Sequence, residues 1–593
     1  MKVSDYIVDF ISKKGVSHVF EFIGGAIVHL IDSIALRDDM KTISVRHEQS
    51  GAFAAECYAR INGKLGVAMA TSGPGALNLV TGIGSCYFDS VPCLFITGQV
   101  NTYEYKFDRP VRQIGFQETD IVSVVKSLTK YAEMVVEANK IRFHLEKAVY
   151  FAQSGRPGPV LLDIPMNLQR QDVDPEQLES FFDSTEYKEI VQSETYRKAV
   201  PDDQIQLIIR LIQEAKRPII LAGGGIRTAN GQQQFEHFVN RTNIPVACSL
   251  MGLDVLPHTH PSYVGLIGSY GNRYANMALA NADFILILGS RLDTRQTGTR
   301  PDTFGRAAIK VHIDVDANEL NAKVNTEVVI HAELKDFLDQ INGAIANHDF
   351  IAPTAWNEKI QQFRSKYSEL PDQGTNNTID PNRFMEMLSS NCNEGDIVCL
   401  DVGQHQMWAS QSFHLKEQQR LINSGGMGAM GFAIPAAIGS AFLTTNNVIA
   451  IVGDGAVQLN IQELDTIKRY KLPIKIFVVN NNSLGMVRQF QELYFDGRKQ
   501  STVYDAPNFC NIAMAYEIES FNIINWSEAE RIVQQALNCK GPVLVNVEVS
   551  KDSAVNPKLV VNRPIEDMYP HLDREELREM MLIDLVEEVD VPK

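Results

Sequence analysis

The sequence predicts an α/β protein of three doubly wound domains, each a parallel sheet covered by helices on both faces. Three observations carry this reading. Short apolar, β-branched runs alternate with stretches of helical period along the chain. The 593 residues exceed what one core organises, at roughly 100–200 residues per domain. Two polar stretches, about 169–204 and 347–380, divide the alternation into three blocks.

The elements follow in order. VSDYIVDFISKKG reads as an amphipathic helix stopped by Gly15. Strands are expected at 19–20, 42–45, 66–70 and 94–97, with a helix over 49–61. GRPGPVLLDIP closes the first block with a buried strand at 160–164. AKRPIILAGGGIR opens the second block, which runs to about 345. The third begins with a strand at 397–400, continues through strands at 448–452 and in IKIFVVNNN, and ends near 549. In the tail, REELREMMLIDLVEEV reads as a surface helix. The expected division is 1–185, 190–346, 375–550 and a tail over 551–593. Blocks one and three share size and pattern, as an old duplication would leave them. No repeat of 20–50 residues is visible.

Composition excludes some functions. Hydrophobic residues make up 45% and charged residues 21%, as in ordinary globular chains. A formal net charge of −17 argues against nonspecific binding to nucleic acid or anionic membrane. No apolar run approaches the ~18–20 residues of a membrane span. The first helix follows Met1-Lys2 directly, which leaves no room for a signal or transit peptide. The eight cysteines are scattered without a CxxC pair, and buried free thiols are expected. The expected compartment is the cytoplasm.

Two segments carry chemistry. AIVGDGA follows an apolar strand and precedes a helical pattern; IKIFVVNNN then forms the next strand. One strand–helix–strand unit returns Asp454 and Asn481 to the same sheet end. A carboxylate and an amide oxygen suit Mg²⁺, which shares its oxygen ligands between protein and phosphate. Gly453 and Gly455 allow the backbone to approach phosphate. The bland alternative is a glycine-rich turn followed by an Asn-rich loop. In TISVRHEQSGAFAAECYAR, Glu48 stands between a strand and a helix start. By position alone it is a first-turn acid facing the helix dipole.

Company sharpens both readings. The GDG…N arrangement resembles the motif of thiamine-diphosphate enzymes. RHEQ and its small-residue helix resemble the catalytic-glutamate segment of the acetohydroxyacid synthase group. SGPGALNLVTGI, DSVPCLFITGQV and GFQETDIV are similar to that group's first domain; DVGQHQMWA, SGGMGAMGFAIPAAIG and GMVRQFQEL are similar to its third. The resemblance covers most of the chain, in order. It implies thiamine diphosphate and Mg²⁺, with Asp454, Asn481 and the Ser483 carbonyl as metal ligands. Gln404, His405, Gly455, Ala456, Gly485 and Met486 would hold the diphosphate. The Gly428 carbonyl would accept from the aminopyrimidine amine, and Met430 would bend the cofactor so that this amine meets the thiazolium C2 proton. Glu48 would bond the aminopyrimidine ring and promote loss of that proton. Gly25, Phe116, Val487 and Phe490 would line the substrate pocket, with Gln117 and Lys130 orienting donor or acceptor.

The middle block adds AGGG, SLMGL, LGSRLDTRQTG and HIDVD. With Arg156 they resemble a flavin site in the same group: Gly223, Gly224, Gly225, Ser249, Leu250, Gly289, Arg291, Arg295, Asp314 and Val315 for FAD. Glu333 fits the ribose position only loosely. Glycines after a strand admit a nucleotide, and paired arginines suit its phosphates. The alternative is a vestigial domain with structural arginines. Such a flavin would be structural, since carboligation has no net redox step.

The resemblance therefore implies a carboligase of acetolactate-synthase type. It would decarboxylate pyruvate, a small 2-keto acid, and pass the two-carbon unit to a ketone acceptor. Alternatives are an FAD-dependent pyruvate oxidase and a noncatalytic binding homologue. Acceptor positions depart from the group: Phe490 replaces a tryptophan, Ile23 and His29 replace prolines, Met251 a glutamine, Tyr270 a histidine and Thr294 an aspartate. The tail segment IEDMYPHLDREEL resembles carboligases of branched deoxysugar synthesis, so the acceptor is either pyruvate or a nucleotide-linked ketosugar. In the group, the first domain of one subunit meets the third of another. That implies a homodimer at minimum, with a homotetramer expected. No regulatory subunit is legible in the sequence.

Overall fold

The computed structural model describes residues 1–346, 348, 350, 352–370 and 377–586. The first sheet contains β1 (His18–Phe22), β2 (Lys41–Ser44), β3 (Gly66–Ala70), β4 (Cys93–Gln99), β5 (Tyr131–Met134) and β6 (Val160–Pro165). The second contains β7 (Pro218–Ala222), β8 (Val246–Cys248), β9 (Tyr263–Leu266), β10 (Phe284–Leu288), β11 (Ile309–Asp314) and β12 (Val328–His331). The third contains β13 (Ile397–Leu400), β14 (Arg420–Asn423), β15 (Val448–Gly453), β16 (Ile474–Asn480), β17 (Glu519–Ile523) and β18 (Val543–Glu548). Every neighbouring pair in these sheets is parallel.

Central strands such as β4, β7, β10 and β16 are buried along their whole length. Helices cover both faces, so these strands read as continuous apolar runs instead of alternating ones. The first sheet runs β2-β1-β3-β4-β6-β5 and the third β14-β13-β15-β16-β18-β17, the same order twice. The middle sheet runs β12-β11-β10-β7-β8-β9 and reverses between β10 and β7. Ligands of such sheets gather beyond the strand carboxyl ends at these reversals. The three reversals, β1/β3, β7/β10 and β13/β15, position the candidate sites.

The first and third units share one hydrophobic cluster. Helix Glu48–Asn62 lies against helix Ala433–Ala441. Contact is backbone-close: a Cβ on Gly439 would stand 2.1 Å from the Ala54 carbonyl oxygen. Phe53 and Phe432 meet edge to face at 5.3 Å.

Three expectations need correction. The polar stretch 347–380 is more than a linker, because helix Thr354–Lys366 buries Trp356, Ile360 and Phe363 in the middle unit's core. Residues 347, 349, 351 and 371–376 of that stretch lie outside the described residues. The stretch 169–204 contains a helix, Thr185–Ser193, whose Ser184 hydroxyl accepts from the Tyr187 N–H at 3.1 Å. The tail helix covers only Arg574–Met580. It is also no free surface helix, since Leu577 (2% exposed) and Met581 pack into the middle unit. The last part of that expected helix, from 587, lies outside the described residues. All eight cysteines are free; six are buried, while Cys510 and Cys539 are only half-buried. Among the described residues, no helix is long and apolar enough to cross a membrane.

Candidate cofactor and active site

Strands β13 and β15 pair in parallel up to Leu400 and Ile451, and the segments that leave their carboxyl ends meet. A Cβ on Gly453 would come within 2.8 Å of the His405 ring, so only glycine fits there. The next residue, Asp454, is buried and accepts from the N–H groups of Gly455 (2.9 Å) and Ser483 (3.2 Å). Burial pushes its carboxyl up to about 6, against these backbone hydrogen bonds. Asn481 joins through its Oδ1, which accepts from the Ser483 N–H at 3.1 Å, and its Nδ2 donates to Gln404 Oε1 at 2.9 Å. Asp454, Asn481 and Ser483 thus share one cluster. Among the described residues no group of three His, Cys, Asp or Glu side chains could hold a metal. The donors here are one carboxylate, one amide oxygen and one main-chain carbonyl, hard oxygens of the kind Mg²⁺ accepts.

His405 supplies a test of fit. It is buried, its Nε2 has no hydrogen-bond partner among the described residues, and burial drives its pKa down to about 3. A neutral, orphaned ring nitrogen is rare inside a protein. Here it stands beside the glycine turn where a phosphate oxygen would sit. Gly485 completes the approach, because a Cβ there would lie 1.9 Å from Gln404 Oε1. Ala456 is buried behind the turn, and Met486 is half-buried against the core. The group therefore fits a metal-bound diphosphate.

The glycine-rich loop above is held by Asp401. Its buried carboxylate accepts from the N–H groups of Gly431 and Ala433, both at 2.8 Å. Gly428 is left-handed at φ +67°, and a Cβ on it would meet only Val402, at 3.9 Å. The Met430 methyl lies 3.7 Å from where a Gly455 Cβ would stand. Met430 thus lies beside the Gly455 turn, while Gly428 borders open space near Val402. Val487 and Phe490 follow on helix Gly485–Tyr494 and are exposed.

The other half rises from the first sheet. Glu48 opens its helix, 6% exposed, with its Oε2 accepting from Asn78 Nδ2 at 2.9 Å. Gly75 keeps the neighbouring space open, since its Cβ would stand 3.1 Å from Glu48 Oε1. Gln117 packs on Gly73 of the same loop and holds a left-handed φ of +64°, strained for its type. Gly25 follows β1 with nothing within 4 Å of its missing Cβ, and Phe116 is 86% exposed. Lys130 is not brought to this group. It precedes β5, at the opposite edge and opposite strand end from Glu48. Its ammonium donates to the Ser154 and Arg156 carbonyls at 2.6 and 2.7 Å, and burial lowers its pKa to about 8. It braces Arg156.

At the middle reversal, β7 and β10 open onto a cavity of about 740 Å³. Arg156, Gly224, Gly225, Ser249, Leu250, Gly289, Arg291, Arg295, Asp314 and Val315 all line it, as do Met251, Tyr270 and Glu333. Gly223 does not. Its Cβ would strike the Gly289 carbonyl oxygen at 2.1 Å, so it serves strand packing instead of ligand approach. Asp314 is buried and its carboxyl is pushed up to about 6. Arg156 is held by Asp316 at 3.2 Å and Glu319 at 2.8 Å. The glycine cradle and paired arginines fit a dinucleotide.

Several contributors lay beyond sequence reasoning. Tyr504, from a loop with no motif of its own, brings its hydroxyl to the glycine turn, 2.9 Å from where a Gly455 Cβ would stand. Gln489 was visible only as part of GMVRQFQEL, yet it fastens the tail: its Nε2 donates to the Val555 carbonyl at 2.9 Å, and its Oε1 accepts from the Val555 N–H at 3.0 Å.

Two like sheets, one carrying a buried helix-start glutamate and the other an oxygen-donor cluster around a glycine turn, define a thiamine-pyrophosphate enzyme. Family models agree along the chain. They match as the N-terminal TPP binding domain over residues 1–124, the central domain over 205–341, and the C-terminal TPP binding domain over 401–547. The acetolactate synthase large subunit of Lactococcus lactis is 36% identical over 574 residues, covering 95% of both chains. That of Haemophilus influenzae is 34% identical over 581 residues, covering 97% of this chain and 99% of its own. The isozyme 2 large subunit of Escherichia coli is 34% identical over 560 residues, covering 94% and 97%. The chain belongs to the acetolactate synthase family of thiamine-pyrophosphate enzymes.

Proposed function

We propose that this chain is a thiamine-diphosphate-dependent carboligase that decarboxylates pyruvate and joins the two-carbon unit to a ketone. The observation that carries this is the Asp454–Asn481–Ser483 cluster beside the orphaned His405 nitrogen, matched on the like sheet by buried Glu48. Thiamine diphosphate, when bound, supplies the electron sink that lets a 2-keto acid lose CO₂. The chain's own residues bind and orient. Asp454, Asn481 and the Ser483 carbonyl hold Mg²⁺; Gln404, His405 and the Gly455 turn hold the diphosphate. Met430 and the Gly428 carbonyl would hold the cofactor's rings. Glu48 holds a proton at the aminopyrimidine. Gly25, Phe116, Gln117, Val487 and Phe490 form the substrate pocket.

The two halves stand on different sheets, and Phe116, Val487 and Phe490 expose apolar surface beside them. Both facts support a homodimer whose subunits exchange halves, with two dimers forming a tetramer. Relatives named as large subunits support a further, smaller partner chain. The test is isotopic. Holoenzyme fed ¹³C-labelled pyruvate is expected to release one CO₂ for each acetolactate formed, with a nucleotide-linked ketosugar offered in parallel as acceptor. Flavin bleaching by pyruvate, without any carboligation product, would replace this reading with an oxidase.

The cavity supports bound FAD with a structural role. Changing Arg291 and Arg295 together to alanine is expected to lower flavin content sharply. Each lost charge-assisted contact is worth about 1.5–3 kcal/mol, roughly tenfold or more in affinity. Absorbance of the purified protein reads this directly, and unchanged flavin content rejects the arginine assignment.

A further inference from the structure

We infer that Lys558 is a specificity-determining residue, a cationic contact for the carboxylate of the acceptor substrate. This rests on the carboligase reading above. Lys558 lies in the short strand Lys558–Leu559, paired antiparallel with Met568–Tyr569. It is 5% exposed. Its ammonium stands over three rings: Phe490 at 5.5 Å, Tyr494 at 5.6 Å and Tyr270 at 5.8 Å. Among the described residues no carboxylate lies within ion-pair distance of it, and burial alone lowers its pKa.

The balance of forces asks for an anion. Aromatic faces attract a cation, but less strongly than a counter-ion does. Drawing an ammonium towards the protein interior without a counter-ion disfavours its charge more than such faces restore. The three rings leave that difference uncompensated, and a carboxylate arriving at the ammonium closes it.

Position selects which anion. Phe490 and Tyr494 belong to helix Gly485–Tyr494, which leaves the diphosphate cluster at Gln404. Tyr270 lines the nucleotide cavity. Lys558 thus stands where the two sites adjoin. Its segment is fixed on both sides, by Gln489 to Val555 and by the Leu559 N–H donating to the Ser269 carbonyl at 2.7 Å. Two of the three rings come from the helix of the reacting end, which favours the acceptor carboxylate over the flavin phosphates.

The experiment is a competition between acceptors on the holoenzyme at saturating pyruvate. A charged acceptor, 2-ketobutyrate, is set against a neutral one, propanal, and the two mixed products are measured by mass. Their ratio cancels donor binding, cofactor content and the fraction of folded enzyme. Lys558→Met is expected to lower the charged-to-neutral product ratio about tenfold, and Lys558→Arg to restore most of it. An unchanged ratio in Lys558→Met overturns the assignment. So does loss of flavin with an unchanged ratio, which places the contact on the flavin. If Lys558→Met does not fold, Lys558→Gln carries the same comparison. Absence of any carboligation product from the unaltered enzyme, acetolactate included, would instead sink the carboligase reading itself, and acetolactate without either mixed product would overturn the assignment of Lys558.

Discussion

Glu48→Gln is expected to lower carboligation by about 10²–10⁴-fold, the usual contribution of a positioned acid or base. The side chain opens helix Glu48–Asn62, is almost fully buried, and is held by Asn78 Nδ2. Glutamine keeps the size and the partner but cannot hold or pass the proton. Thiamine diphosphate affinity should hardly change, because on the proposed reading the diphosphate is gripped from the third sheet. Product formation and cofactor titration, measured on the same preparation, separate the two effects. Turnover within a few-fold of the unaltered enzyme would remove Glu48 from the chemistry.

Asp454→Ala should fail differently. Removing an outer-shell partner of a metal typically costs 10–100-fold in affinity. A direct ligand should cost at least the upper end, so Mg²⁺-dependent thiamine diphosphate binding is expected to weaken by roughly 100-fold or more. The cofactor-free chain should keep or gain thermal stability, because alanine removes a carboxylate that burial disfavours. Weakened binding with an intact apo melting temperature therefore reports the metal and not the fold. Normal Mg²⁺ dependence in this variant would dismantle the cluster as a metal site.

Much of the architecture was readable because parallel sheets buried on both faces write themselves as apolar runs. The strands expected at 66–70, 94–97, 397–400 and 448–452 sit within β3, β4, β13 and β15. What escaped had its signal diluted or remote. Helix Thr354–Lys366 presents Trp356, Ile360 and Phe363 at intervals of four and three, but polar letters between them mask the stripe. Gly223 looked like its neighbours Gly224 and Gly225, and only the 2.1 Å approach to Gly289 shows that it is packing. Lys130 sits close in sequence to the first domain's pocket residues, yet at the far edge of the sheet. Tyr504 and Lys558 meet the site through tertiary folding alone, and no local pattern marks them.

The repeated strand order of the outer sheets has a further meaning. One strand plan recurs in a single polypeptide, and on the proposed reading its two instances divide the labour: proton handling at one, ion-gripping at the other. Neither instance must preserve the other's tools. The wall that greets an incoming reaction partner, where Phe490 and Tyr270 stand, can therefore be rebuilt while the coenzyme's seat stays untouched.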